Sequence, residues 1–129
     1  MTAGREIHTD RAPAAIGPYS QAIDLDGLVF TAGQIGLDPD SGEFAGPDVE
    51  SQARQVMANL AAVLDAAGAG FEDVVKTTVY LADMDEFEKV NSIYGEHFEA
   101  PFPARSTVEA GRLPRDARVE IDVVARRSG

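Results

Sequence analysis

Two amphipathic helical segments, separated by a β-branched strand, constrain the fold of this chain more than any other feature. Apolar residues recur at three- and four-residue steps from Asp48, a good N-cap residue, to Gly68, which predicts a helix. Residues Val74–Ala82 then alternate in polarity and are rich in β-branched side chains, which predicts a strand. The apolar face of the first helix comprises Ala53, Val56, Met57, Leu60, Val63, Leu64 and Ala67.

A second helical repeat follows that strand. Either Asp83 or Asp85 is expected to cap this helix, because each has a Glu three residues later. Pro101 and Pro103 are expected to end it, since proline disfavours the helical conformation of the residue before it. The repeat consists of Phe87, Val90, Asn91, Tyr94 and Phe98.

Four other segments are predicted to be strands, and turn residues separate them. The Asp26-Gly27 pair is typical of a two-residue hairpin between the first two of them. Residues 36–47, rich in Gly, Pro and acids, are predicted to form a loop, and Gly111–Asp116 a turn. The four strands are Tyr19–Leu25, Leu28–Ile35, Ala104–Ala110 and Ala117–Arg126.

The resulting order is β-β-α-β-α-β-β. A strand, a helix and a strand in succession predict a parallel pair, whereas the hairpins predict antiparallel pairs. Each helix has one apolar stripe, so both are expected on one face of a mixed sheet, and the fold class is α+β, a two-layer sandwich. Val75 is expected to face the helices. Val74, Tyr80 and Val124 are expected on the opposite face, which a partner subunit would cover.

Length and composition exclude several classes of protein. The 129 residues are enough for one domain, residues 1–129, with its own core. The chain has no Cys, which excludes thiolate chemistry and disulfides, and His8 and His97 lack metal-ligand spacing. No apolar run could span a membrane, and residues 1–11 lack the apolar core of a secretory signal. We therefore expect a soluble, cytoplasmic protein with no metal and no cofactor.

The chain is acidic overall, but its charge is unevenly distributed. Twenty-two acids oppose eleven bases, which gives a net charge of −11. An acidic chain repels nucleic acid and anionic membranes, so neither is an expected partner. Residues 104–129, however, hold six Arg against four acids, and this end of the chain is a candidate for binding an anionic small molecule.

Arg105 is the first candidate functional residue. It lies in a predicted strand directly after the rigid segment 101–103, and it shares a face with Thr107 and Glu109. A guanidinium stays charged and needs an anionic partner when it is buried. That partner is either Glu120 or Glu109, in a structural ion pair, or the carboxylate of a substrate.

Four further candidates each have a structural alternative. Glu120 points away from the helices, and it is either a solvated strand residue or, under a second subunit, a general base with a raised pKa. Asn91 either ties the second helix to a loop or contacts a substrate. Tyr19 is either a core aromatic or presents its hydroxyl to a substrate. Gly33 interrupts a strand, which is typical of a bulge or of a close approach to a ligand.

Several segments of the chain resemble the RidA/YjgF family. The resemblance extends from about Pro13 to Arg127, and its most specific part combines Pro-Ala-Arg-Ser at 103–106 with Val-Glu-Ile at 119–121. The matching segments are APAAIGPYSQ at 12–21, TAGQI at 31–35, VKTTV at 75–79, PFPARS at 101–106 and VEI at 119–121.

This resemblance implies an activity and an assembly. The family hydrolyses reactive 2-imino acids, such as 2-iminopropanoate and 2-iminobutanoate, to 2-keto acids and ammonia; these imines are tautomers of enamines released by pyridoxal-phosphate dehydratases. The resemblance also implies a chorismate-mutase-like homotrimer with three clefts between subunits. Arg105 matches the family's arginine for the substrate carboxylate and Glu120 its acidic residue, so both are the predicted catalytic residues. Tyr19, Gly33 and Asn91 match its other substrate-binding residues.

Thr107 departs from the family pattern, because many members have Cys at this position. Its backbone groups remain and a hydroxyl replaces the thiol, so Thr107 is still expected to bind substrate, with consequences for substrate range and rate. Three other functions remain open. They are regulatory binding of a keto or amino acid without turnover, a ribonuclease-like or translation-inhibiting role, against which the charge of −11 argues, and a chaperone surface.

Overall fold

The computed structural model describes residues 4–127, in which two α-helices pack on a mixed β-sheet. Residues 1–3 and 128–129, which the predicted domain and the search for a secretory signal include, lie outside the described residues. The helices are α1 (Val49–Ala66) and α2 (Phe87–Gly95). The strands are β1 (Arg5–Ile7), β2 (Ala22–Leu25), β3 (Leu28–Thr31), β4 (Gln34–Ile35), β5 (Val74–Leu81), β6 (Ala104–Glu109) and β7 (Val119–Arg126).

The sheet has the strand order β1-β2-β3-β7-β5-β6, and β4 also pairs with β7. Strands β5 and β6 run parallel, and the other paired strands of the described residues run antiparallel. The predicted mixed sheet with a parallel pair around the second helix is therefore confirmed, and so is the α+β class. This order leaves β6 at one edge of the sheet.

Both helices bury their apolar stripes in one core with the sheet, so they lie on the same face of it. Helix α1 begins after Asp48, whose carboxylate accepts a hydrogen bond from the Ser51 N–H at 2.9 Å. Its residue Leu60 is fully buried, and burying a leucine side chain contributes about 1.5–3 kcal/mol. Helix α2 adds Val90, Ile93 and Tyr94 to the same core.

Strand β2 is shorter than predicted, and β1 is not predicted at all. The chain before β2 is held by the buried amide of Gln21, whose Oε1 accepts from the Thr9 N–H (2.8 Å) and whose Nε2 donates to the carbonyls of Thr9 and Pro13 (3.0 and 2.8 Å). These bonds replace strand pairing, so β2 begins at Ala22 and Tyr19 lies in a loop. Strand β1 spans three residues, too few for an alternating pattern to be recognised.

The single strand predicted for residues 28–35 is two strands. Strand β3 ends at Thr31 and β4 begins at Gln34, and both pair with β7. At the break the Thr31 hydroxyl accepts the N–H of Val123 at 3.0 Å, a bond that a continuous ladder would make with a backbone carbonyl. Gly33 lies in this break, as the expected interruption of a strand.

A β-bulge near the start of β5 reverses one predicted orientation. Val74 pairs with Ala125 whereas Lys76 pairs with Val124, so Val75 is an extra residue in the strand. Val74 is consequently buried and Val75 is 51% exposed, and the prediction for these two residues was wrong. Farther along, the alternation is as predicted, and the buried side chains are Thr77, Val79 and Leu81.

Helix α2 ends at Gly95, and the prediction that Pro101 and Pro103 end it was wrong. Glycine has a poor helix propensity, and the chain leaves the helix just after it. Phe98 therefore lies beyond α2, although it is still buried, with its ring centre 4.6 Å from that of Tyr94. Of the two candidate caps, Asp83 accepts the N–H of Asp85 at 2.9 Å and caps the 3-10 turn Met84–Glu86 that precedes α2.

Candidate functional site

Arg105 and Glu120, the two predicted catalytic residues, lie on opposite faces of the sheet. Arg105 pairs in register with Thr77, whose side chain is buried under the helices, whereas Glu120 pairs with Tyr80 on the other face. Side chains that pair in register share a face. An Arg105–Glu120 ion pair within one chain is therefore ruled out. We call the two regions the Arg105 half-site, on the helix face, and the Glu120 half-site, on the bare face.

The guanidinium of Arg105 is oriented by neutral groups of α2. Its Nη1 donates a hydrogen bond to Oδ1 of Asn91 at 2.7 Å. Its guanidinium carbon lies 4.8 Å from the ring centre of Tyr94 and 5.5 Å from that of Phe87, distances that allow cation–π attraction. The other structural partner considered, Glu109, accepts the N–H of Met84 instead. Asn91 thus ties α2 to β6 through Arg105 and not to a loop.

Beneath Arg105, the ring of Tyr94 is fixed in place. Tyr94 is buried, and its hydroxyl hydrogen-bonds with that of Thr77 at 2.9 Å. Phe102, 65% exposed, lines a cavity of about 420 Å³ together with Arg105. A guanidinium in the wall of such a cavity suits the binding of a small carboxylate. The cavity is lined by Asn91, Tyr94, Gly95, Phe102, Pro103 and Arg105.

Thr107 lies on the same face of β6 as Arg105, two residues along the strand. It is half-buried and lines a shallow hollow with Met84 and Phe87. Phe87 lines this hollow, and its ring centre also lies 5.5 Å from the guanidinium carbon of Arg105. The structure thus places Thr107 beside the Arg105 half-site.

The Glu120 half-site contains the other predicted residues. Glu120, Gly33 and Tyr19 line one cavity of about 310 Å³ with mostly apolar walls. Tyr19 is 54% exposed, which excludes the core-aromatic interpretation of this residue. Its loop is held beside the cavity by the buried Gln21 described above. The cavity is lined by Pro13, Ala14, Ile16, Tyr19, Gln21, Gly33, Gln34, Ile35, Leu37, Pro114, Arg115 and Glu120.

Glycine at position 33 leaves room for the side chain of Glu120 in its observed position. A Cβ placed on Gly33 would overlap Oε2 of Glu120 and lie 2.7 Å from its Cδ. The close approach that a strand glycine indicates is therefore an approach to this carboxylate. The carboxylate of Glu120 therefore lies directly against the backbone of Gly33.

Burial and a neighbouring charge both change the acidity of Glu120. Partial burial is the larger cause that raises the pKa of Glu120, and the carboxylate of Asp122 raises it further. Burial likewise raises the pKa of Asp122, and the charge of Asp122 raises the pKa of the Tyr80 hydroxyl. A carboxyl whose pKa is raised toward neutrality is suited to accept and return a proton.

Sequence reasoning missed three residues of the two half-sites. The sequence predicts only that Phe87 and Tyr94 belong to the apolar stripe of α2. In the structure their rings also lie beneath the guanidinium of Arg105. Arg115 was assigned only to a turn, yet it lines the Glu120 cavity. The signal for Arg115 was available in the arginine-rich end of the chain, residues 104–129.

Neither a metal centre nor a membrane span is found in the described part of the chain. Within residues 4–127 no group of three or more His, Asp or Glu side chains could hold a metal ion. No helix there is long and apolar enough to cross a bilayer. His97 packs against the ring of Phe71 with ring centres 5.1 Å apart, and burial lowers its pKa.

Comparison with known proteins gives consistent matches over most of the chain. The model of the family Endoribonuclease L-PSP matches residues 9–127. A RutC family protein of Synechocystis is 59% identical over 121 residues, which cover 92% of this chain and 93% of that protein. The human 2-iminobutanoate/2-iminopropanoate deaminase is 47% identical over 121 residues, covering 94% and 88%. The crystal structure of E. coli TdcF with bound serine is 44% identical, with a TM-score of 0.89 and coverage of 96% and 99%.

Proposed function

This chain belongs to the RidA/YjgF family, and we propose that it hydrolyses reactive 2-imino acids, such as 2-iminopropanoate and 2-iminobutanoate, to 2-keto acids and ammonia. One observation carries the proposal beyond the family name. The chain presents an oriented arginine and a carboxyl of raised pKa as two half-sites on opposite faces of one sheet. Each half-site holds one of the two groups that the reaction needs.

In this proposal Arg105 binds the carboxylate of the substrate. A guanidinium forms a two-pronged pair with a carboxylate, and the contacts with Asn91, Tyr94 and Phe87 hold it in one orientation before substrate arrives. Orientation lowers the entropic part of the barrier, because the imine carbon must meet its water at a fixed angle. An imine carbon is already electrophilic, so the reaction requires no covalent nucleophile.

Glu120 moves the protons. It accepts a proton from water as the water oxygen adds to the imine carbon and passes this proton to the nitrogen, which gives a carbinolamine with one C–OH and one C–NH2 single bond. It then accepts the hydroxyl proton of the carbinolamine and delivers it to the nitrogen as the C–N bond breaks and the C=O bond forms, which leaves a 2-keto acid and ammonia and returns Glu120 to its starting state. Burial and the charge of Asp122 raise the pKa of Glu120, which makes its carboxylate a stronger base than an exposed glutamate.

The two half-sites meet between copies of the chain, in a chorismate-mutase-like homotrimer with three intersubunit clefts. The bare face of the sheet supports this arrangement, because it exposes the large apolar side chains Phe30 (42%) and Val108 (43%). An apolar face of this kind is a surface for association. Light scattering on the eluting protein is expected to give three chain masses, and a monomer at micromolar concentration would contradict the model.

Complementation between two inactive variants tests the function and the shared site together. Arg105→Ala and Glu120→Gln are each expected to lose hydrolysis of 2-iminopropanoate. When the two variants are co-expressed in equal amounts, roughly one quarter of the clefts combine an intact Arg105 with an intact Glu120. Ammonia release should therefore recover to about a quarter of the wild-type rate. If each active site lay within one chain, co-expression would restore no ammonia release. If the wild-type protein did not accelerate imine hydrolysis, the proposed function would be wrong.

One observation favours a second candidate, the binding of a small amino or keto acid without turnover. The similar TdcF structure contains bound serine, and the Arg105 half-site suits any small carboxylate. Calorimetric binding of 2-ketobutyrate with no acceleration of imine hydrolysis would favour this candidate. The ribonuclease named in the family description is disfavoured by the net charge of −11.

A further inference from the structure

Arg115 is a second arginine of the proposed cleft, at the wall of the Glu120 cavity. It lines this cavity together with Tyr19, Gly33 and Glu120. The ionisable groups of the cavity lining are Tyr19, Arg115 and Glu120. Arg115 is thus the cation of a mostly apolar cavity, and nothing in the reaction proposed above requires it.

The side chain of Arg115 is held in place by neutral contacts. Its Nη1 donates to the carbonyl of Gly42 at 3.0 Å, and its guanidinium carbon lies 5.8 Å from the ring centre of Phe44. The backbone of Arg115 is left-handed, with φ 56° and ψ 23°, and that of Asp116 has φ 59°. Residues with side chains seldom adopt this conformation, which costs free energy and is concentrated at functional sites.

Among the described residues, Arg115 also differs from most arginines in having no acidic partner. Six of the nine arginines form an ion pair with a carboxylate there, and the chain as a whole has 22 acids against 11 bases. Even the neighbouring Asp116 pairs with Arg112, at 2.7 Å, and not with Arg115. The three arginines for which the described residues supply no ion pair are Arg105, Arg115 and Arg126.

We propose that Arg115 forms a second anion subsite and that the protein prefers dicarboxylic 2-imino acids, whose side chain ends in a carboxylate. This inference rests on the proposed function. With the two half-sites joined, Arg105 of one copy binds the carboxylate next to the imine, and Arg115 of the next copy binds the terminal carboxylate. The reaction is unchanged: water replaces the imine nitrogen, which leaves as ammonia. Arg115 also offsets the repulsion between the terminal carboxylate and Glu120.

The test compares the hydrolysis of 2-iminosuccinate and 2-iminoglutarate with that of 2-iminopropanoate. Each imine is generated by an amino-acid oxidase with catalase present, and semicarbazide captures what is not hydrolysed. Arg115→Asn removes the charge, and asparagine tolerates the left-handed backbone at this position. Arg115→Lys keeps the charge without the planar fork. Arg126→Asn is the matched control, because it removes the same charge from the exposed end of β7.

We expect wild-type kcat/KM to be higher for at least one dicarboxylic imine than for 2-iminopropanoate. Arg115→Asn should lower the ratio of these two kcat/KM values about tenfold, the size of one charge-assisted contact, mainly through KM. Arg115→Lys should restore part of the ratio, and Arg126→Asn should leave it unchanged. Salt should lower the ratio for wild type more than for Arg115→Asn.

Failure of this inference is distinguishable from failure of the proposed function. A protein that hydrolyses none of the three imines removes the function itself. A protein that hydrolyses 2-iminopropanoate, but whose dicarboxylic ratio changes less than twofold in Arg115→Asn, lacks the subsite. If Arg115→Asn lowers kcat/KM equally for all three imines, Arg115 supports the structure of the cleft and does not bind the terminal carboxylate. That result would also overturn the inference. If Arg115→Asn fails to fold, the ratio in Arg115→Lys and its salt dependence decide the same question.

Discussion

The carboxylate of Glu120 lies directly against the Cα of Gly33, in the break between β3 and β4. The two residues are 87 positions apart in the chain, and the pairing of β4 with β7 brings them together. Any side chain at position 33 would displace the carboxylate. The glycine is therefore a positioning residue for Glu120.

Gly33→Ala should consequently slow imine hydrolysis while the protein stays folded. The added methyl group moves the flexible end of Glu120, and a displacement of about 1 Å can reduce a rate by on the order of a hundredfold. We expect a lower kcat with little change in KM, measured as ammonia release. Gly111→Ala is the matched control, because a Cβ there would meet no atom within 4 Å. Equal rates in the two variants would contradict the positioning role.

Arg105→Ala should reduce hydrolysis by on the order of a hundredfold or more, because the substrate loses its carboxylate partner in both the bound state and the transition state. Arg105→Lys should recover little of this activity, since an ammonium lacks the planar fork. Arg54→Ala serves as the control, because Arg54 on α1 forms an exposed ion pair with Glu96, the residue after α2. A near-normal rate in Arg105→Ala would make this arginine structural.

Glu120→Gln should be far slower than Thr107→Ala. The glutamine keeps the size of the side chain but cannot accept a proton, and loss of a general base costs roughly a hundredfold or more. The Thr107 hydroxyl is worth about one hydrogen bond, so its loss should slow the reaction several-fold at most. Steady-state rates of both variants, each in the oligomeric state of the wild type, provide the comparison. If Thr107→Ala were slower than Glu120→Gln, the Thr107 hydroxyl would be the group that holds the attacking water. The replacement of the cysteine of many family members by Thr107 would then affect the reaction.

The pH profile of kcat/KM should have an acid limb above the ordinary pKa range of glutamate. The base is active when deprotonated, so activity falls as the pH drops through the pKa of Glu120, which burial and Asp122 raise. Asp122→Asn removes the second of these causes, so its acid limb should move to lower pH. The acid limb of Asp122→Asn should still lie above the ordinary pKa range of glutamate, because Glu120 remains partly buried in this variant.

Asp26→Asn is the control for this profile. It removes one negative charge at the exposed hairpin turn, where the φ of 53° suits asparagine. Its acid limb should coincide with that of the wild type. An unmoved limb in Asp122→Asn, or a shift to higher pH, would show that Asp122 does not act on the titrating group.

The residue patterns along the chain were enough to predict its local structure. Periodicity placed α1 and β5, and the Asp26-Gly27 pair placed the β2–β3 hairpin, because turn chemistry and side-chain spacing act over a few residues. For Arg105 and Glu120 the residue types left a structural alternative open, and the resemblance to the family supplied their predicted roles. Predictions were wrong where a long-range contact overrode the pattern, as at the bulge of Val75.

Only the tertiary structure decided how the candidate residues are grouped. Whether Arg105 and Glu120 share a face depends on the register of β6 and β7 against β5, which pairing across many residues sets. The position of Arg115 at the wall of the Glu120 cavity depends on a left-handed turn, and its side chain is held by a carbonyl 73 residues away. No local pattern encodes such distances, because they result from the packing of the whole sheet with its loops.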